Sequence, residues 1–468
     1  MVAPLAADPA TLNPAHALDV LAADLLYDGL TDVDPASGEA RPELASSWDT
    51  PDGVTWTFHL DPRQSLSDGS PLTAAMVVAS LDRVAAEHDS SIAGGRLDIV
   101  AGFAEVAAGS ADHLSGLAAT SESDVQITLA AADYELPALL ADPAYGVVPN
   151  GKVDMSSQTV VSGRFRVRSG GVDGATLVAL DPGDDDTATA VEFVRFDDAS
   201  AASKALASGK IDIAPLDDGG AAPAGSTAVV VSGATLVLEV AAANGPWSDP
   251  AVHRALVQSL DRSAVAQATT GDAGRRADAL VPGGIVAGAC ATGCAADPAG
   301  RTALAAVGAT SGPVPLDVAA GPHGNAAADE ITKQLVAAGL PVEARRVDPT
   351  ALQVTVSAGQ MELALFGIAG TSPTPDPYLA AALSSVGTEN LSGYASADFD
   401  AALAAARAEP DVVKRRAAYS ALEASAMVAA PVIPLVTLGE RFAVAERVKH
   451  VRPYAGLLFD IGAVGLGR

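Results

Sequence analysis

Cysteine, histidine and acidic residues are where chemistry would show first, and their spacing here is uncooperative. The two cysteines, Cys290 and Cys294, sit in GACATGCAAD with three residues between them, not the two of a redox C-x-x-C pair. No histidine lies nearby to complete a four-ligand zinc site. Gly288 and Gly293 loosen the loop enough for a local Cys290–Cys294 disulfide, favoured over two free thiols if the chain is exported. So small a ring constrains the unfolded chain little. The histidines at 16, 59, 88, 113, 253, 323 and 450 show no metal spacing. Asp184-Asp185-Asp186 lacks the spaced ligands of a calcium loop and reads as a solvated acidic turn. There is no G-x-S-x-G, no H-E-x-x-H, no Walker A and no G-x-G-x-x-G after a strand. Nothing in these residues positively suggests an enzyme, a cofactor or a metal, and a carboxylate pair for hydrolysis, whose members can come from anywhere in the chain, stays open.

Composition narrows the partners. A chain of 468 residues suggests two or three domains, and 49% hydrophobic content suffices for sizeable cores. Only 4% is aromatic, so those cores rest on Ala, Val and Leu. The net charge of -29, from 28 basic and 57 acidic residues, argues against nucleic acid and against anionic membrane surfaces. It favours a soluble monomer. No run of eighteen apolar residues spans a membrane, and Met1-Val2-Ala3-Pro4 lacks the marks of a signal peptide. That leaves a cytosolic protein, or an exported one read without its signal.

The elements that must position any site follow from periodicity. Val54, Trp56, Phe58 and Leu60 alternate as in a half-buried strand. After the turn Ser67–Pro71, Thr73 reads as an N-cap, and Leu72 and Val77 have staple spacing on the helix that follows. Val125, Ile127 and Leu129 form another strand, and so do Phe165 and Val167. Val191 to Leu216 reads strand, helix, Gly209 stop, strand, a unit that predicts two parallel neighbours. A strand at Thr235–Ala242 precedes a helix capped by Asp249 with Pro250 at its first position. From Pro313 to Ala369, strands and helices alternate, with Gly339 ending one helix. Two alanine-rich helices, Ala397–Ala408 and Val412–Val428, precede Pro431, Pro434 and an extended stretch at Val436–Ala443.

Several of these stretches together resemble one family. LLYDGLTDVDPASGEARPELASSWDTPDGVTWTFHLDPRQSLSDGSPLTAAMVVASLDRV, Ser162-Gly163-Arg164-Phe165, ALASGKIDIA, WSDPAVHRALVQSLDRSAV and NLSGYASADFDAAL…VIPL occur in order over about residues 10 to 450. They resemble the extracytoplasmic solute-binding proteins, family 5, which serve oligopeptide, dipeptide and nickel ABC transporters. The resemblance implies an α/β fold, two-lobed and periplasmic-binding-protein-like (type II, cluster C), with an extra inserted subdomain. Lobe I is expected at 1–45, 155–245 and 435–468, the subdomain at 46–154, and lobe II at 246–434. Trp48 and Trp56 are expected in the core, and Asp261-Arg262 as a helix-end ion pair.

By the same resemblance, the chain is the substrate-binding component of an ABC importer, working outside the cytoplasm, in the periplasm or as a cell-surface lipoprotein. It captures a peptide-like or other small polar solute by hinge closure and hands it to a membrane ABC permease. A cell-envelope scaffold or regulator of the same fold is the alternative. The candidate ligand-binding residues are Asn13, Asn244, the strand end Phe366, Gly367, Ile368 and Ala369, then Thr371, Ser372, Thr374 and Asp376, and finally Tyr394. Peptide-binding relatives carry an Asp shortly after the strand's Gly to pair with the peptide ammonium. Thr371 to Pro373 offer none.

Overall fold

The computed structural model describes residues 2–5, 24–34, 38–87, 96–149, 160–171, 174–179, 188–196, 198–216, 220–241, 245–271, 275–282, 298–309, 312–319, 322–348, 352, 354–356, 359–369, 372, 374–429, 432–451 and 464–466. The chain divides into two compact units: residues 1–231, 371–374 and 440–468 form unit 1, and 232–370 with 375–439 form unit 2.

Unit 1 contains two cores. The alternation around Trp56 builds an antiparallel sheet in the order β4 (Ala45–Asp49), β5 (Thr55–Leu60), β7 (Asp124–Thr128), β6 (Leu117–Ala119). Trp56 pairs with Ile127 and Phe58 with Val125, so one face is apolar. Helix α1 (Ala74–Glu87) covers it with Val77, Leu81 and Val84, and Leu72 joins the same core one residue before Thr73. Short helices α2 (Phe103–Ala107) and α3 (Leu136–Leu139) and the hairpin β2 (Thr31–Val33) and β3 (Ala40–Pro42) complete this part. Trp56 is buried and Trp48 packs against the same cluster, as expected.

The second core gathers around β1 (Val2–Leu5), β10 (Ala190–Arg195), β9 (Gly174–Ala179) and β8 (Phe165–Gly171), in that sheet order. Here the sequence reading needs correction. After β10 come helix α4 (Ala199–Ala207), Gly209 at φ 73°, and β11 (Ile213–Leu216), but the two strands are not neighbours. β10 pairs in parallel with β1, whereas β11 pairs antiparallel with the end of β17 (Val432–Ala445). Periodicity gave the elements, and partners far away in sequence decided the pairing. The short β18 (Val448–Lys449) and β19 (Gly465–Leu466) pair with each other.

Unit 2 is built on a sheet ordered β17, β12 (Ser226–Val240), β16 (Leu363–Ala369), β14 (Val314–Ala319), β15 (Val342–Val347), with β13 (Arg275–Arg276) beside β17. The chain changes unit within β12 after Val231 and within β17 after Gly439. Helices α5 (Pro250–Ser259), α6 (Arg262–Thr270), α7 (Pro298–Gly308) and α8 (Pro322–Ala337) cover one face. There Leu236, Leu238 and Val240 meet Leu316, Val318, Leu363, Leu365, Ile331 and Leu335. α5 starts as its residues dictate: Asp249 accepts a hydrogen bond from the Ala251 amide, with Pro250 at the first position. Three helices follow β16: α9 (Asp376–Leu383), α10 (Ala397–Arg407) and α11 (Val412–Ala429).

Asp261 and Arg262 do not form the expected pair. Asp261 caps α6 through the amides of Ser263 and Ala264. Arg262 is buried and donates to the carbonyls of Ala277 and Pro434.

Candidate functional site

β16 has the sequence LALFGIA, continuous and apolar as a central strand must be. Its two neighbours differ in length. β12 pairs with it throughout, from Val240 opposite Leu363 to Ala234 opposite Ala369. β14 pairs only Leu316, Val318 and Asp317 with Leu363, Leu365 and Ala364. From Phe366 to Ala369 the β14 side of the strand therefore has no strand partner among the described residues. Unpaired main-chain groups on a strand edge are a template for another strand.

The face is open there as well. Phe366 and Ile368 are buried, while Gly367 and Ala369 are exposed on the side where Leu363 and Leu365 lie under helices. A Cβ built on Gly367 meets nothing within 4 Å. The four strand residues named from the sequence thus form one segment, paired on one edge and, among the described residues, without a strand partner on the other.

The residues after the strand behave differently. Ser372 and Thr374 are buried, and their hydroxyls lie 3.2 Å apart, with the Thr374 amide also donating to Ser372 Oγ. Their polar atoms are turned toward each other. Asp376 opens α9, but its side chain is 1% exposed and bound by Arg407, whose Nε and Nη2 lie 2.7 and 3.2 Å from the two carboxylate oxygens. Tyr419 Oη donates to the same carboxylate at 3.3 Å. The Asp376 carboxylate is thus held in an internal ion pair.

Tyr394 is half-buried, and its ring stands edge-on to Phe399 at 6.2 Å. Asn390 closes this loop, donating to the carbonyls of Ser384 and Tyr394 at 2.9 and 2.7 Å, which explains the N-x-x-x-Y spacing structurally. Asn13, Asn244, Thr371, Cys290 and Cys294 lie outside the described residues.

Sequence reasoning missed the buried acids of unit 2. On the face opposite the helix-covered core, one row runs across the sheet: Arg345, Asp317, Ala364, Glu239. Asp317 is matched by Arg345 through two hydrogen bonds of 2.8 Å. Glu239 is completely buried, and neither carboxylate oxygen makes a hydrogen bond of good geometry, although the amides of Ser392 and Leu391 face it. Burial pushes its carboxyl well above the usual range; those amides oppose the shift and the Glu389 carboxylate adds to it. The signal was visible: a Glu inside the otherwise apolar TLVLEVAA. Among the described residues, no group of three or more His, Cys, Asp or Glu is placed to hold a metal.

The mixed α/β fold is that of the two-lobed periplasmic solute-binding proteins. The MppA periplasmic murein tripeptide binding protein, in its unliganded open form, superposes with a TM-score of 0.83 at 20% identity, over 100% of this chain and 97% of that one. Residues 39–390 match the bacterial extracellular solute-binding proteins, family 5 Middle, and the chain belongs to that family. The periplasmic oligopeptide-binding protein OppA of Escherichia coli (strain K12) is 30% identical over 132 residues, 28% of this chain and 24% of its own length. The probable deoxycholate-binding periplasmic protein YgiS of the same organism is 32% identical over 150 residues, 31% of this chain and 28% of its own. These matches span about a quarter of the length of the curated relatives.

Proposed function

We propose that this chain is the extracytoplasmic substrate-binding component of an ABC importer, taking up a peptide-like solute along the free edge of β16 and delivering it to a membrane permease. The observation that carries the reading is the overhang of β16 past β14, which leaves Phe366 to Ala369 without a strand partner on one side among the described residues. An extended peptide placed there gains main-chain hydrogen bonds, with side chains free to vary because Gly367 and Ala369 present little to clash with. The printed names of OppA and MppA, an oligopeptide and a tripeptide binder, support a peptide; that of YgiS supports keeping the solute class broad.

Thr371 to Pro373 offer no carboxylate, and Asp376 is committed to Arg407. On this reading the ligand's amino terminus gains no charged partner from these positions, and the strand edge carries the affinity. Titration with tri- to pentapeptides, followed by thermal shift and calorimetry, tests this directly. Methylating one backbone nitrogen of a binding peptide is expected to weaken it about tenfold, through the loss of one edge hydrogen bond and the bulk of the methyl group. Acetylating its amino terminus is expected to change affinity less than threefold. Equal binding of the methylated and plain peptides would remove the strand-edge mode, and no response to any peptide would remove the peptide class.

A further inference from the structure

Glu423 lies on α11, completely buried, and reaches a loop 142 residues away in sequence. Its Oε1 accepts both the Leu280 amide at 2.5 Å and the Val281 amide at 3.1 Å. Its Oε2 is buried and has no hydrogen-bond partner among the described residues. The arrangement is asymmetric in a telling way. One oxygen with two lone pairs does all the anchoring, and the other is free to carry a proton without disturbing either bond.

We propose that Glu423 is a proton-operated latch, which holds the Leu280–Val281 loop to α11 while protonated and releases it more readily once ionised.

The charged groups around it leave that proton to be set by burial. On the loop, Asp278 is paired with Arg262 and Arg276. On α5, which packs against α11, His253 is bonded to the Trp247 carbonyl and Arg254 is exposed. One turn earlier on α11, Tyr419 touches the Asp376–Arg407 pair, which is internally neutral. Arg415, further up the helix, donates to the Glu409 carbonyl, and on α10, which also packs against α11, Asp398 is exposed and Asp400 accepts from the Ser385 amide. None of these moves Glu423 appreciably. Burial pushes its carboxyl up to about 7, against the opposing pull of the two amides.

The direction follows from linkage. When the loop opens, the carboxyl meets water and returns to an ordinary value near ~4.3. Between there and about 7 the closed form binds the proton that the open form releases, so each rise in pH favours opening, by up to about tenfold per unit. Above that range the effect levels off. The loop that Glu423 holds belongs to the same unit as β16, yet the latch needs no ligand to operate.

Hydrogen exchange on the full chain reads it out. Peptides containing the Leu280 and Val281 amides, corrected for intrinsic exchange rates, are expected to lose protection about tenfold or more between pH 5.5 and pH 7.5. Glu423→Gln keeps a carbonyl oxygen for both amides and cannot ionise, so its protection at these amides should be flat over the same range. Wild-type protection that does not change with pH overturns the proposal without any variant. A Glu423→Gln profile as steep as wild type overturns it too, because the titrating group would then lie elsewhere. Since no solute enters the measurement, its result is separable from that of the peptide titrations.

Discussion

Asp376 shows how a residue's surroundings decide its role. Its type and place, just past the candidate ligand strand, suited an ammonium partner, but Arg407 and Tyr419 occupy its oxygens inside unit 2. Nothing local announced this, since the partners lie 31 and 43 residues downstream. Caps, by contrast, were legible because they are made within one turn: Asp249 and Gly209 sit where their chemistry requires. Glu239 is the intermediate case, an anomaly visible in an apolar strand whose consequence needed the fold. If Asp376 is structural, Asp376→Asn should cost about 3 kcal/mol of unfolding free energy, near the lower end for breaking a buried pair because Arg407 keeps some solvent contact. Urea unfolding should show a lower midpoint with an unchanged slope, while peptide affinity stays within about threefold. A variant as stable as wild type but unable to bind peptide would return Asp376 to the ligand site.

At the level of elements, β16 was readable as a strand, and its open edge was not. The opening exists because β14 pairs with three residues of β16 and β12 with seven, a mismatch that no window of sequence contains. The same reason defeated the β10–β11 pairing: local pattern specifies a strand, and distant partners specify its neighbours. The free edge makes a steric prediction. Space beside Gly367 is open and its backbone angle is ordinary for any residue, so Gly367→Trp should fold with stability within about 1 kcal/mol of wild type. A bulky ring there stands where a bound strand would lie, so peptide affinity should fall at least tenfold by calorimetry. Retained affinity in a folded Gly367→Trp protein would place the ligand elsewhere.

Over the whole molecule, the titrating groups pull stability in opposite directions across the pH range. Asp52, Asp61, Asp68 and Asp411 are held low by hydrogen bonds from nearby amides and side chains, so their contribution is present above the normal aspartate range and lost as pH falls through their folded values. His59 is raised by hydrogen bonds to Asp124 and Asp49, and His113 by one to Asp82. Their support is full below the ordinary histidine value and is lost as pH rises through the folded one. Both histidines are well exposed, so each counts for a fraction of a kcal/mol. Glu239, Glu389 and Glu423 are raised by burial, and their support also fades as pH rises. The net charge of -29 at pH 7 adds self-repulsion on the same alkaline side. The melting temperature should therefore peak between about pH 4.5 and 6.5 and decline toward pH 8. Salt separates the two causes. Repulsion among exposed carboxylates is screened beyond ~8 Å at physiological ionic strength, whereas the burial of a carboxyl is not. Raising sodium chloride from 20 to 500 mM should thus lift the pH 8 melting temperature by a few degrees, change the pH 5.5 value less, and leave part of the gap in place. Glu423→Gln should close some of that remainder at either salt concentration. A protein more stable at pH 8 than at pH 5.5 in both salts would mean that the buried acids do not keep their protons in the folded chain.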